Sequence, residues 1–192
     1  MNRTVRTFVA VEISSEIRTR AAQLMAKLNS TAAKVRWVEP HNLHLTLKFL
    51  GDVDLLEIPE LCQSVTDAVA DLPPFEIEAR GAGVFPNLRN PRTVWLGIGR
   101  GTDEMVELHA AVERGLTGLG FRRDQRRFRP HLTIGRVRGA GPGNSELAER
   151  LAEQADFSGG VASVEEVVVF SSELGREGPT YEMLATAALN GR

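Results

Sequence analysis

The tetrapeptide His44-Leu45-Thr46-Leu47 recurs, nearly unchanged, as His131-Leu132-Thr133-Ile134, and two of the chain's four histidines sit in this setting. Successive side chains of a strand point to opposite faces. Each copy, read as a strand, therefore puts its His and Thr on one face and two apolar residues on the other. A single copy is an ordinary half-exposed strand; composition alone produces the pair roughly one time in a thousand. Two such strands side by side present two imidazoles and two hydroxyls to one cleft. That is an acid–base pair with hydroxyl donors beside it, and it needs no metal.

The flanking sequence reads as a mixed order of strands and helices. Thr4 to Ile13 alternates and is rich in Val, Phe and Thr, so it is a strand. Ser14 or Ser15 caps a helix running to about Asn29, with Ile17, Ala21, Leu24, Met25 and Leu28 on one face. Strands follow at Val35 to Val38 and Leu43 to Leu50, then a helix from about Leu55 to Ala70. Phe75 to Val84 and Thr93 to Ile98 are strands, and Thr102 caps a helix to about Leu119. Phe121 to Phe128 is extended and Arg-rich, and His131 to Val137 is a strand. Asn144 or Ser145 caps a helix to about Gln154. Val164 to Ser171 and Tyr181 to Ala187 are the last strands, joined by a turn at Gly175 to Gly178. About eight strands and four helices in this order predict an α+β fold with mainly antiparallel sheets. Each half carries a short extended segment, a proline (Pro40 or Pro130), a His-x-Thr strand and then a helix. This repeat predicts a single domain over residues 1–192, made of two pseudo-symmetric lobes with the cleft between them.

Composition narrows the class. With 192 residues, 42% of them apolar, the chain can bury a sizeable core. The net charge is −2, but Arg122 to Arg138 holds seven Arg and one Asp. A single cysteine, Cys62, excludes an internal disulfide and a multi-cysteine metal site, and reads as an apolar filler on a helix. Met1 to Ile13 does not fit a signal peptide, and no run approaches 18 apolar residues. A cytoplasmic monomer is expected. His41 and His44 are three apart, but Pro40 and the β-rich run after Asn42 argue against a helix that would make this spacing useful to a metal. No carboxylate pair or second cysteine stands nearby to complete a shell. His109 lies on an amphipathic helix and reads as a surface residue.

These residues resemble the 2H phosphoesterases, and within them the RNA 2′,3′-cyclic phosphodiesterases, also called 2′-5′ RNA ligases. That family carries two His-x-Thr-x motifs, here His44 to Leu47 and His131 to Ile134. The flanks agree at Arg6-Thr7-Phe8-Val9-Ala10, Trp37-Val38, Leu47 to Gly51, Gly83-Val84-Phe85-Pro86, Arg129 to Arg136 and Tyr181. The resemblance covers essentially the whole chain. It implies a bilobal pseudo-twofold fold with helices outside and both His-x-Thr strands lining a central cleft, with no metal and no cofactor. Its implied substrate is RNA with a 2′,3′-cyclic phosphate end.

Hydrolysis of a cyclic phosphodiester needs a water deprotonated and a ribose oxygen protonated. Imidazole, with an ordinary pKa near 6.5, serves either step. Thr46 and Thr133 can donate to the non-bridging oxygens, where charge gathers. The sequence leaves the two histidines interchangeable. The resemblance implies His44 as proton donor and His131 as proton acceptor, which leaves a 2′-phosphate on the product. A 5′-hydroxyl in place of water would give a 2′-5′ linkage without any nucleotide cofactor. Arg129 shares the face of His131 if Pro130 permits, and Phe8 and Tyr181 are candidates to stack on a base, though core packing is the stronger reading of Phe8. Arg136, five residues after His131, should face away from it unless the strand bends. Trp37 and Trp95 read as core or rim. Two other functions fit the pattern: a phosphoesterase for a small nucleotide such as ADP-ribose 1″,2″-cyclic phosphate, and a non-catalytic RNA-binding module.

Overall fold

The computed structural model describes residues 3–175 and 178–192; the middle of the predicted turn at Gly175 to Gly178, Arg176 and Glu177, lies outside them. The described strands are β1 (Thr4–Val11), β2 (Val35–Trp37), β3 (Leu45–Asp54), β4 (Phe75–Asn87), β5 (Asn90–Ile98), β6 (His131–Val137), β7 (Ser158–Val164), β8 (Glu166–Leu174) and β9 (Pro179–Ala188). The helices are α1 (Ser15–Leu28), α2 (Ile58–Val69), α3 (Thr102–Gly118) and α4 (Gly143–Ala152). A single 3₁₀ turn, Pro40–Asn42, precedes His44.

The strands form two sheets, ordered β3-β1-β8-β9 and β2-β6-β5-β4-β7, and the described pairings are antiparallel. Helices α2 and α3 pack together on the first sheet, and α1 and α4 pack on the second. The chain therefore passes repeatedly from one sheet's layer to the other, first from β1 to α1 and last from β7 to β8. These crossings tie the sheets together, and one buried apolar cluster runs through both.

The alternation expected of the motifs holds for their first four residues. Leu45, Leu47, Leu132 and Ile134 are 1%, 2%, 1% and 0% exposed, while Thr46, His131 and Thr133 are half-buried on the other face. Burying four such side chains contributes about 1.5–3 kcal/mol each. A one-residue slip would forfeit that gain and bury the histidines, so the core sets the register of the site.

Beyond the fourth residue the alternation breaks in both strands, and at the same place. Thr46 pairs with Ala10 and Lys48 with Val9, which leaves Leu47 as an extra residue. Thr133 pairs with Trp95 and Gly135 with Val94, which leaves Ile134 as an extra residue. Each is a β-bulge, and each reverses the facing of the residues after it. Lys48 turns inward to 2% exposure, and Phe49 turns outward to 62%. Gly135 turns inward against Trp37, whose Cε3 would lie 2.7 Å from an added Cβ. Arg136 turns outward and is exposed.

Several sequence expectations need correction. Strand β7 escaped detection because Gly159-Gly160 interrupts its apolar pattern; Gly159 is there because Ala79 leaves only 2.8 Å to an added Cβ. Phe121 to Phe128 forms no strand and runs as an irregular loop. Ser14 does cap α1, accepting from the Ile17 N–H at 3.2 Å. Thr102, however, is the first residue of α3 rather than its cap: Gly101 takes that place at φ +87°, where an added Cβ would meet Glu76 O at 2.5 Å. Helix α4 starts at Gly143 without a side-chain cap, and α2 starts at Ile58, three residues later than expected. Cys62 is half-buried on α2.

Candidate functional site

His44 sits at the mouth of β3 and His131 opens β6. These strands belong to different sheets yet touch each other. The ring of His44 places Nδ1 2.8 Å from the carbonyl of Asn42, and that of His131 places Nδ1 2.6 Å from the carbonyl of Arg129. In both, the partner lies two residues upstream. A carbonyl oxygen only accepts, so each Nδ1 carries the proton and donates it. Each Nε2 is then the nitrogen that exchanges protons: an acceptor when the ring is neutral, a donor when it is cationic. The 3₁₀ turn aims the Asn42 carbonyl, and the constrained Arg129-Pro130 step aims the other.

Burial lowers the pKa of His44 below its ordinary value, against the opposing hydrogen bond to Asn42. Burial also lowers His131, opposed by the Arg129 carbonyl and reinforced by the charge of Arg136. The charge of Arg136, with that of Arg6, likewise opposes the burial that raises the Tyr181 phenol. Tyr181 meets His44 edge-on at 5.3 Å. Arg136 is exposed, and its charge acts on both His131 and Tyr181, where strict alternation would have turned it away from His131. The bulge at Ile134 is the cause. The one available signal was Gly135, since a glycine inside a strand marks a bulge or a close backbone approach.

The remaining expected site residues divide between half-buried, exposed and core positions. Thr46 and Thr133 lie half-buried on the strand faces opposite Leu45 and Leu132, and Thr133 pairs with Trp95. Phe8 is only 2% exposed and packs at 4.8 Å on His44 and 5.2 Å on Phe170. It backs the imidazole and offers no free face to a base, so of its two readings core packing is the one that holds. Tyr181 is half-buried and keeps an accessible part. Arg129 is exposed, and its carbonyl rather than its guanidinium holds His131. His41 is exposed on the 3₁₀ turn.

Sequence reasoning missed the aromatic wall beside His131. Phe85 meets that ring edge-on at 5.0 Å and lies 5.3 Å from Trp95. The indole rests on Gly83, where an added Cβ would come within 2.4 Å of its Cζ2. His44 and His131 are each braced by aromatic rings from their own sheet. Trp37 differs from Trp95: it packs behind β6 and donates through Nε1 to Asn29 at 2.8 Å.

Known proteins share this fold. An RNA 2′,3′-cyclic phosphodiesterase of Methanothermobacter thermautotrophicus is 40% identical over 178 residues, covering 92% of this chain and 95% of that protein. The crystal structure of TT0787 of Thermus thermophilus superposes with a TM-score of 0.81 at 26% identity, over 97% of this chain and 99% of that one. The structure of E. coli LigT complexed with 3′-AMP gives 0.78 at 27% identity, over the same shares. The family model described as the 2′-5′ RNA ligase superfamily matches residues 11–176. By that match and these relatives, the chain belongs to the 2′-5′ RNA ligase superfamily.

Proposed function

We propose that this protein is an enzyme that opens 2′,3′-cyclic phosphate ends of RNA to 2′-phosphomonoesters by acid–base catalysis between His44 and His131. One observation carries the reading: two half-exposed imidazoles, each pinned through Nδ1–H to a carbonyl two residues upstream, each with Nε2 left for proton transfer. The M. thermautotrophicus relative supports the substrate.

In this scheme a neutral His131 takes the proton of the attacking water, and a cationic His44 gives one to the departing 3′ oxygen. Burial lowers both rings, and at His131 the charge of Arg136 adds to it, in the direction a neutral base needs. Thr46 and Thr133 donate to the non-bridging oxygens, and Arg136 offsets the charge that accumulates there. Tyr181 lines the sugar and base on the His44 side. With an RNA 5′-hydroxyl in place of water, the same proton transfers form a 2′-5′ linkage. The protein acts as a monomer in the cytoplasm, as one domain of two lobes, and no described helix is long and apolar enough to cross a membrane.

The test is incubation of an oligonucleotide ending in a 2′,3′-cyclic phosphate with the protein in EDTA. A 2′-phosphomonoester is expected, and His44→Ala and His131→Ala abolish turnover. A 3′-phosphate product reverses the roles of the two histidines; no turnover by the wild-type protein ends the proposal. A parallel assay on ADP-ribose 1″,2″-cyclic phosphate checks the small-nucleotide alternative.

A further inference from the structure

Behind the motif strand β3 lies a buried ionic cluster that the proposed chemistry does not use. Lys48 donates to Glu113, to the Arg122 carbonyl at 2.9 Å and to Asp124 Oδ1 at 3.3 Å. The second oxygen of Glu113 accepts the Asp124 N–H at 3.1 Å. His109 sits 4.0 Å from both carboxylates and stacks on Phe128, with ring centroids 4.1 Å apart and 2° between planes. His109 is thus mostly covered, not the surface residue its sequence suggested. Ligand atoms of His109, Glu113 and Asp124 come within 4.8 Å of one another, but the Lys48 ammonium is bonded to both carboxylates. The chain supplies its own cation there.

The residues so held are both ends of the irregular loop 121–130. Its start is tied down by Lys48 and Glu113, its end by the Phe128–His109 stack, and it runs directly into His131. The loop carries five arginines, Arg122, Arg123, Arg126, Arg127 and Arg129, all exposed. Its one acidic residue, Asp124, is engaged by Lys48. Among the described residues, none of the five takes part in an ion pair. A like-charged loop left free would spread and move. This one is anchored at a cost in buried charge, with its acid consumed internally and its positive charges turned outward.

We infer that loop 121–130 is a fixed contact surface for the phosphodiester backbone of the RNA strand that ends in the cleft, so that the substrate is an oligonucleotide rather than a mononucleotide. The inference rests on the cyclic phosphodiesterase reading and adds to it a second, purely electrostatic binding surface outside the catalytic cleft. Phosphate contacts of this kind position a strand without reading its sequence. They reveal themselves as salt dependence, about 0.7 in log–log slope per contact for single strands.

The experiment compares the wild-type protein with the double variant Arg126→Glu/Arg127→Glu. Substrates are a 2′,3′-cyclic mononucleotide and a single-stranded ten-nucleotide RNA with the same end, at low and moderate salt. For the wild type, kcat/KM on the RNA should exceed that on the mononucleotide and fall steeply with salt. The variant should lose at least about tenfold on the RNA, with the salt slope reduced by about 1.4, and stay within about twofold on the mononucleotide. The mononucleotide arm also verifies that the variant is folded. Equal loss on both substrates, or no loss on the RNA, overturns the inference. A wild type that turns over both substrates equally also overturns it while leaving the cyclic phosphodiesterase reading intact; a wild type that turns over neither refutes that reading instead.

Discussion

Replacing Lys48 by Met keeps the aliphatic stem and removes only the ammonium. All three of its protons are committed, to Glu113, the Arg122 carbonyl and Asp124, and both Lys48 and Glu113 are 2% exposed. Burial alone pushes the Glu113 carboxyl up; the Lys48 hydrogen bond, the Asp124 N–H and the charges of Lys48 and His109 bring it net below its ordinary value. Removing one partner of such a pair leaves an uncompensated buried charge, at a cost of about 3–5 kcal/mol. A domain of this size has about 5–15 kcal/mol in all, and each kcal/mol moves Tm by about 2–4 °C, so Tm should fall by roughly 6–20 °C. Lys48→Met/Glu113→Leu should cost less than Lys48→Met alone, because no bare charge remains. The Arg122 carbonyl and Asp124 N–H it strands belong to exposed residues that water can reach. Urea unfolding of the single and double variants at neutral pH measures this. With Lys48 gone, the Glu113 pKa rises above its unfolded value, so the variant's deficit should shrink as pH falls toward about 4.3. A Lys48→Met deficit under about 1 kcal/mol, or a double variant as unstable as the sum of the singles, would refute the idea that the cluster is a coupled buried pair.

Thr46→Val and Thr133→Val keep shape and lose a donor; each should lower kcat on the order of 10²-fold with Tm unchanged, and a Tm loss equal to that of a core substitution would count against the donor role. Arg136→Met removes a charge that holds the His131 pKa down, so the acidic limb of the kcat/KM profile should move to higher pH, and a limb that stays put or moves down contradicts the assignment of His131 as base. Gly135→Ala puts a methyl 2.7 Å from Trp37 Cε3 and 2.8 Å from Val35 Cγ1, and should cost about 1–3 kcal/mol by urea unfolding. Because burial lowers His44, His109 and His131 in the folded protein, stability is fully present above the unfolded value of about 6.5 and drains away as pH falls through the folded values. Unfolding curves collected from pH 8 to pH 5 should show that decline, less steep in His44→Ala.

Where local pattern and tertiary packing agree, the sequence was legible. The buried stripe of α1 is the five residues its spacing names, and Ser14 caps it. Where a backbone contact overrides propensity, it was not. Gly159-Gly160 hides β7 because those residues are chosen for what touches them, Ala79 and Glu16, and not for strand propensity. Gly101 displaces Thr102 as the cap of α3 because Glu76 and Ile77 crowd the turn, and the Thr102 hydroxyl donates backward to Ile98 and Gly99 instead. The Arg-rich segment looked extended, yet its position is set by long-range bonds that no local pattern announces: Lys48 reaches Glu113 across 65 residues and Asp124 across 76.

The two bulges carry the most information about how site and scaffold coexist. A period of two reads His44 through Leu47 and His131 through Ile134 correctly, then fails at the next residue in both. Without a bulge, Lys48 would stand on the same face as Thr46, and Arg136 on the face away from Thr133. With one, β3 sends its cation backward to hold the loop that enters His131, and β6 turns its cation outward, where its charge acts on Tyr181 and His131. The same backbone irregularity therefore performs opposite tasks in the two motif strands. This also explains why the residue after each motif differs so sharply, lysine in one and glycine in the other: each sits on the inward side, where β3 meets a carboxylate on α3 and β6 meets the flat face of Trp37. A Lys48–Gly135 exchange should fail twice over, leaving Glu113 unpaired and driving an ammonium into an indole.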